Sequence, residues 1–366
     1  MKYFLKIHKL TCSVAYYRLQ NSNKYLQKKH KAMKKNLFTL TTCSVLVACG
    51  GGGGGTDTAN NNSNNSLVGA AVSLSASNYE SAAKEIVGSV SGMQSTGAAA
   101  QGLLTGAEVT PMTTPAMFLQ NKLPELAELL KKQAHLTGAV TSESVPCDSG
   151  GKMDVVFNDK NGNEDLDAGD SADITISNCQ YDNFKMNGKM SFTVNSGSAN
   201  SNLTASNINL LATVQDLKVE FNDIVSVGNG SFIMSITPVN STTLTVDMQS
   251  PSLTNQVTQA GKTKVFQYKD YNVNATANAT TSSWSVKGTV SVPTLGANTA
   301  YIDTTTRFSQ TNSQGFATTG QLMITVSNGG KMRVSATGTS NAKIELDLNA
   351  DGTYEEFKLT PWIDVL

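Results

Sequence analysis

The sequence predicts a mainly β protein, a large antiparallel meander folded as a curved sheet, a sandwich or a barrel and preceded by two α-helices. Three observations carry this reading. From about Val140 to the end, short runs alternate apolar and polar residues and are dense in Thr, Val, Ser, Ile and aromatics, as half-buried strands are. Asn-Gly, Gly-Gly, Gly-Asn-Gly and Asp-Gly turn signals punctuate those runs, with no helical segment between them, so neighbouring strands must run antiparallel. Before Val140, apolar residues recur instead at three- and four-residue intervals.

The chain divides at Cys49. Leu37 to Ala48 is an apolar stretch with Thr and Ser interruptions, too short to span a membrane, and it follows Met33-Lys34-Lys35. A short basic region, an apolar core and a small-residue cleavage site make a secretory signal over residues 1–48, with Met33 the expected start and the first 32 residues an extension. The run Leu46-Val47-Ala48-Cys49 resembles the lipobox of bacterial lipoproteins. That resemblance implies that Cys49 becomes the lipidated N-terminus, and Gly50 in place of Asp after it implies sorting to the outer membrane. The alternative is a short apolar helix carrying a free thiol. Residues 49–66 open with six glycines, Gly50 to Gly55, and continue in Thr, Asn and Ser; such a segment buries nothing and reads as a flexible leash.

Residues 67–138 are expected to be helical. Tyr79, Ala82, Ala83, Ile86, Val87 and Val90 define one apolar face, and Met117, Phe118, Leu119, Leu123, Leu126, Leu129 and Leu130 a second. Pro124 should kink that second helix or open a new one. Within residues 139–366 the alternation predicts strands near 152–157, 172–177, 188–195, 203–213, 216–223, 230–237, 243–249, 263–275, 283–291, 300–308, 319–327, 330–337, 342–348 and 353–359. Ser327-Asn328-Gly329-Gly330 is the clearest hairpin turn, and the apolar end of the chain should dock with Trp362 as a core anchor. Gly188, Gly230, Gly288 and Gly320 each stand immediately before an alternating run, a weak repeat that strand initiation after turns explains as well as duplication does.

The chain as written is neutral, but ten of its 28 Lys and Arg lie in residues 1–48, which hold no Asp or Glu. The remainder carries 18 basic against 28 acidic residues. An acidic chain gains nothing from a phosphate backbone, so nucleic acid is not an expected partner, and the membrane is reached through the lipid. Of five cysteines, Cys147 and Cys179 remain after Cys12, Cys43 and Cys49 are assigned, and in an exported protein they are expected to form a disulfide. Two free thiols serving as metal ligands would need CxxC spacing or a nearby His, and have neither.

Asp159 to Asp170 place oxygen-bearing side chains at positions 1, 3, 5, 7, 9 and 12, supplied by Asp159, Asn161, Asn163, Asp165, Asp167 and Asp170. The segment resembles an EF-hand or dockerin-type calcium loop, since a hard cation takes six to eight converging oxygens. It departs from the pattern at position 6, Glu164 where the family has Gly, with Gly162 at position 4, and at position 12, Asp170 where a bidentate Glu is usual. Strand-like flanks imply a calcium-stapled β-hairpin; the competing reading is a polar loop without metal. A second instance, Asp347, Asn349, Asp351 and Gly352, takes its remaining carboxylate from Glu355 or Glu356 and reads first as an ordinary Asp-Gly hairpin turn.

Catalysis finds little in the sequence. His135 is the one histidine after Cys49, and no GxSxG, HExxH, P-loop or strand-borne GxGxxG occurs. The body, with its cysteine-bracketed Asp/Asn loop, its second Asp-Asn-Asp-Gly loop and its terminal Trp362, resembles uncharacterised β-rich lipoproteins of Gram-negative proteobacteria, which implies a location and no activity. The expectation is therefore a non-enzymatic lipoprotein anchored in the outer membrane, with a binding or structural role in the envelope and Ca2+ as a structural cofactor. The alternative is a carrier of lipid or hydrophobic ligand within a curved sheet, and the weaker one an envelope hydrolase working through carboxylates.

Overall fold

The computed structural model describes residues 70–90, 115–133, 140–181, 184–199, 206–311 and 316–365. Cys49, the signal segment, the leash and His135 lie outside the described residues. The two stretches of helical period form α1, residues 79–90, and α2, Pro115–Gln133. Ahead of α1, the Asn78 side chain accepts the Ser75 N–H at 2.9 Å and donates to the Ser73 carbonyl at 2.9 Å, closing the turn from which the helix starts. All six apolar residues expected on its inner face are buried. α2 runs through Pro124 as one helix and buries Phe118, Leu119, Leu123, Leu126, Ala127 and Leu130.

The rest is one antiparallel sheet of fifteen strands: β1 (Val140–Pro146), β2 (Lys152–Asn158), β3 (Leu166–Asp167), β4 (Ser171–Tyr181), β5 (Phe184–Ala199), β6 (Asn207–Phe221), β7 (Ile224–Asn240), β8 (Thr243–Gln259), β9 (Lys262–Asn278), β10 (Thr281–Ser291), β11 (Thr299–Thr311), β12 (Thr319–Val326), β13 (Lys331–Ala336), β14 (Asn341–Asp347) and β15 (Glu356–Pro361). Strands follow one another in chain order, with the two-residue β3 set aside against the end of β5. Among the described residues β1 and β15 each pair on one side only, so the meander is an open sheet and not a closed barrel. Each long strand buries alternate residues on one face, where Phe157, Phe192, Phe232 and Tyr271 are among the largest fully buried side chains.

That face wraps the helices. Glu80 in the first turn of α1 binds Lys358 and Thr360 of β15, while Glu85 binds Lys264 of β9 at 2.7 Å and Thr294 just beyond β10. Lys358 and Lys84 between them hold the Glu80 carboxyl down at about 2. β9 and β15 are six strand spacings apart, about 29 Å in a flat sheet, whereas Glu80 and Glu85 are separated by about 7.5 Å of helix rise. The sheet therefore rolls around α1. α2 lies against the first half of the sheet, with Pro115 beside Gly228 of β7 and Lys122 over the Tyr181 ring of β4 at 5.2 Å. Helices and sheet belong to one compact unit, Asn65–Leu366.

The strong bend has a local cause. Three glycines of the sequence repeat are not strand starters: Gly188, Gly230 and Gly288 lie inside β5, β7 and β10, while Gly320 stands at the start of β12, at φ of 128°, 134°, 145° and 130°. A Cβ on Gly188 would meet the Asp216 carbonyl at 2.5 Å, one on Gly230 the Ser252 carbonyl at 2.5 Å, and one on Gly288 the Tyr271 Cα at 2.7 Å. The facing strands bulge there, with Asp216 and Asp270 in the left-handed region at φ 49°. Asn187 and Asn229, each just before a crease glycine, accept the N–H of the bulged residues Asn178 and Asp216 at 2.8 and 2.7 Å. These sites line up strand by strand into a crease across β4–β10. Alternation slips by one residue where a strand bulges: β6 buries Ile208, Leu210, Ala212 and Val214, then Leu217 and Val219. Hence the expected strands 203–213 and 216–223 are the single strand β6.

Trp362 is buried as expected and meets Phe308 edge-on at 6.2 Å, but from a 3-10 turn after β15 and not from the strand itself. The turn Ser327–Gly330 closes the β12–β13 hairpin as expected, with Val326 N–H on the Gly330 carbonyl at 2.9 Å. Because backbone atoms crowd Gly288, Gly288→Ala should lower stability by about 3 kcal/mol in denaturant titration at constant m. Gly261→Ala, at a turn where a Cβ meets nothing within 4 Å, should cost only about 1 kcal/mol, from its φ of 74° alone.

Candidate metal-binding loops

The two Asp/Asn segments connect antiparallel neighbours, the first joining β2 to β4 and the second β14 to β15. Both are built by side-chain oxygens accepting backbone N–H groups, because a tight loop cannot satisfy its own amides with strand partners. In the first, Asp159 accepts from Gly162 at 2.6 Å and Glu164 at 3.0 Å, and Asn161 and Asn163 each accept from the residue two further on. In the second, Asp347 accepts from Asp351 at 3.1 Å and Gly352 at 2.9 Å, while Asn349 and Asp351 again accept from the residue two further on.

The backbones match as well. Position 4 is left-handed in both, Gly162 at φ 72° and Ala350 at φ 60°, and so is position 6, Glu164 at φ 70° and Gly352 at φ 92°. The two loops share one conformation and have exchanged the position at which glycine serves it. Position 8 is the anchor in each: Leu166 is fully buried beside β5, and Tyr354 lies under the Arg333 guanidinium at 4.0 Å.

Their side chains are used differently. In the first loop Asp170 is buried and accepts the Lys160 and Asp167 N–H groups at 2.9 and 2.8 Å. Burial pushes its carboxyl up, against the pull of those two amides. Asp165 turns outward to Lys131 of α2 at 3.6 Å, and the Asn161 and Asn163 amides donate to Asp167. Asp159, Asn161, Asn163, Asp165 and Asp170 thus engage backbone, helix and loop, and no three carboxylates of this segment meet within 4.8 Å.

The second loop is the one that converges. Asp347, Asp351 and Glu355 each offer a carboxylate oxygen, all within 4.8 Å of one another, and they are the only such trio among the described residues. Asp347 is buried beneath the other two, which are exposed. Asn349 adds an amide that donates to Asp351 at 3.0 Å, and the Thr353 N–H holds the Asp351 carboxyl below its ordinary range. Glu356, the expected fourth member, belongs to β15 opposite Leu346; Glu355 takes the place, receiving the Leu348 N–H at 3.0 Å. The signal for Glu355 was present in the first loop, where Asp167 occupies the same position 9. An all-oxygen set with three carboxylates suits a hard divalent cation and not zinc or copper.

Cys147 and Cys179 are joined as a disulfide with Cα atoms 5.3 Å apart. It ties the β1–β2 turn to β4, at the opposite end of the β2–β4 pair from the first loop, supported by Ser149 N–H on the Gln180 carbonyl and Gln180 N–H on that of Gly150. In the chain-entropy account such a closure is worth about 3–4 kcal/mol. With this geometry in view, comparison with known proteins gave no matching family model, no matching curated protein and no matching solved structure.

Glu164 carries a left-handed strain that glycine would not. Glu164→Gly should therefore raise stability by about 1 kcal/mol, read as a higher urea midpoint, and Ala350→Gly should do the same in the second loop.

Proposed function

We propose that this chain is an outer-membrane lipoprotein, anchored through a lipid on Cys49, that acts without catalysis as a binding or structural body of the cell envelope, with Ca2+ at the Asp347–Glu355 loop. The observation that supports the non-carrier role is the filling of the sheet's apolar face. Ile86 of α1 and Phe118, Leu119, Leu123 and Leu126 of α2 are all 1 % exposed or less against it. An apolar face already covered by the chain's own side chains gives a lipid no surface to enter.

What remains available is the outer face, where polar side chains are paired across strands. Asn195 donates to Asn209 at 2.8 Å, Asn209 to Ser235 at 2.7 Å, Asn274 to Asp247 at 2.5 Å and Arg307 to Asn274 at 2.5 Å. Such a face is preorganised and costs little ordering when something binds.

Intact-mass spectrometry of protein purified from membranes should give a chain beginning at Cys49 with a diacylglyceryl adduct and no stoichiometric non-covalent lipid. Retention of one lipid per chain would replace this reading by the carrier. For the metal, excess Ca2+ should raise the melting temperature relative to EDTA, a hundredfold excess over Kd corresponding to about 2.7 kcal/mol. Glu355→Gln should abolish most of that rise, and an unchanged melting temperature in the unsubstituted protein would remove the cation from the account.

A further inference from the structure

We propose that the edge of β15, unpaired among the described residues, is a self-association surface, where a second copy of this chain adds its own β15 antiparallel, with the two Phe357 residues facing each other across a two-fold axis.

The backbone fixes which atoms are offered. The Trp362 N–H bonds the Ser340 carbonyl at 2.9 Å, in register with the pairing of Asn341 to Pro361. Hydrogen-bonding direction alternates along a strand, so Lys358 and Thr360 turn their main-chain groups to β14, and Phe357 and Leu359 turn theirs to the open side. Pro361, which has no N–H to give, also falls on that open side.

The side chains agree. Edge strands are ordinarily guarded by charge, proline or a covering element. Here Phe357 is 65 % exposed, Leu359 55 % and Leu348 47 %, gathering on one hairpin three of the exposed large apolar residues. The two edges carry similar guards, Glu143 and Pro146 on β1 and Glu356, Lys358 and Pro361 on β15, but β1 exposes only Val140 where β15 exposes the larger Phe357 and Leu359.

Charge selects both the occupant and the register. With Phe357 on the two-fold axis, Glu356 of each copy stands opposite Lys358 of the other, twice over. Shifted by one residue, the axis would place Lys358 against its own copy, a like-charge pair that strands avoid. Lys358 can serve both partners, because its side chain remains 56 % exposed while bound to Glu80. β1 carries only Glu143 and offers no equivalent match. With Phe357 on the axis only Glu356, Phe357 and Lys358 of each β15 face one another, a small interface, so the dimer is expected at a Kd of about 10 µM.

Sedimentation velocity on the full chain tests this. Across the micromolar range the unsubstituted protein should move from one to two chain masses. Glu356→Lys and Lys358→Glu should each weaken association by about tenfold or more, since each sets like charges opposite one another at both symmetric positions. The double variant should restore it to within about threefold of the original; both variants at Lys358 also carry Glu80→Lys, so that the contact to α1 keeps opposite charges. Leu359→Pro, which removes an outward N–H that β14 does not use, should leave the melting temperature of the monomer close to unchanged and abolish the dimer. A chain that stays monomeric to about 100 µM overturns the proposal. So does a dimer indifferent to all four variants, or one that the double variant fails to restore; association abolished by changes at β1 instead assigns the interface to that edge.

Discussion

The structure depends on a bend. A sheet of this many strands cannot be buried on one face by two short helices unless it rolls around them, and the natural twist of strands does not supply that curvature evenly. The crease does. Where Asn178, Asp216 and Asp270 bulge, the neighbouring strand must pass close, and only a residue without a Cβ fits: Gly188 faces Asp216, and Gly288 faces Asp270 and Tyr271. The bend then lets Glu80 reach β15 while Glu85 reaches β9. Curvature, helix docking and burial of the apolar face are one problem with one solution, and the glycines are its least replaceable part.

The crease also explains how much of the fold was legible. A glycine opposite a bulge leaves the parity of its own strand intact, so β5, β7 and β10 read correctly beyond Gly188, Gly230 and Gly288. The bulged strands change parity in mid-course, and there the period-two pattern breaks although the strand continues. β6 was split at Asp216 for this reason, and β8, whose buried residues run to Ser250 and resume at Leu253, was cut short at 249. The end of β7 nearest Ile224 lacks a clean apolar set, burying only Gly228. β1 was missed because it is an edge strand with one face open, polar at nearly every position. By contrast the faces of α1 and α2 rest on side-chain spacing alone: all six residues expected on α1 are buried, as are Phe118, Leu119, Leu123, Leu126 and Leu130 of α2, with Leu129 half-buried and the Met117 side chain outside those described.

The candidate loops were legible as a pair, but the convergence of carboxylates in the second was not. Counting oxygens favoured Asp159 to Asp170, because six of them fall on the right positions. In the folded chain the oxygens must also converge, and spacing does not reveal which side chains the loop turns elsewhere. Asp170 is spent on the amides of Lys160 and Asp167, and Asp165 on Lys131. The second loop satisfies amides with its carboxylates as well, Asp347, Asp351 and Glu355 each accepting N–H groups, and those three carboxylates still converge within 4.8 Å. Their shared left-handed positions, filled by Gly162 and Gly352 at different points of the same turn, were hidden by the exchange of glycine from position 4 to position 6.

The disulfide and the two loops are spread along the outer parts of the sheet, the disulfide beside the crease's first bulge at Asn178. Cys147–Cys179 and the first loop brace opposite ends of the β2–β4 pair, and the second loop braces β14 against β15. Strands near the edges of an open sheet have one neighbour or few, and they fray first. Central strands such as β8 and β9 are held on both sides by long ladders and need no such fastening. A sheet that cannot close on itself is stabilised where it is weakest by covalent and loop closure near one edge and by the loop and the α1 contacts at the other. Glu80 completes the pattern: binding Lys358 and Thr360, it fastens the last strand to the helix around which the whole sheet is rolled.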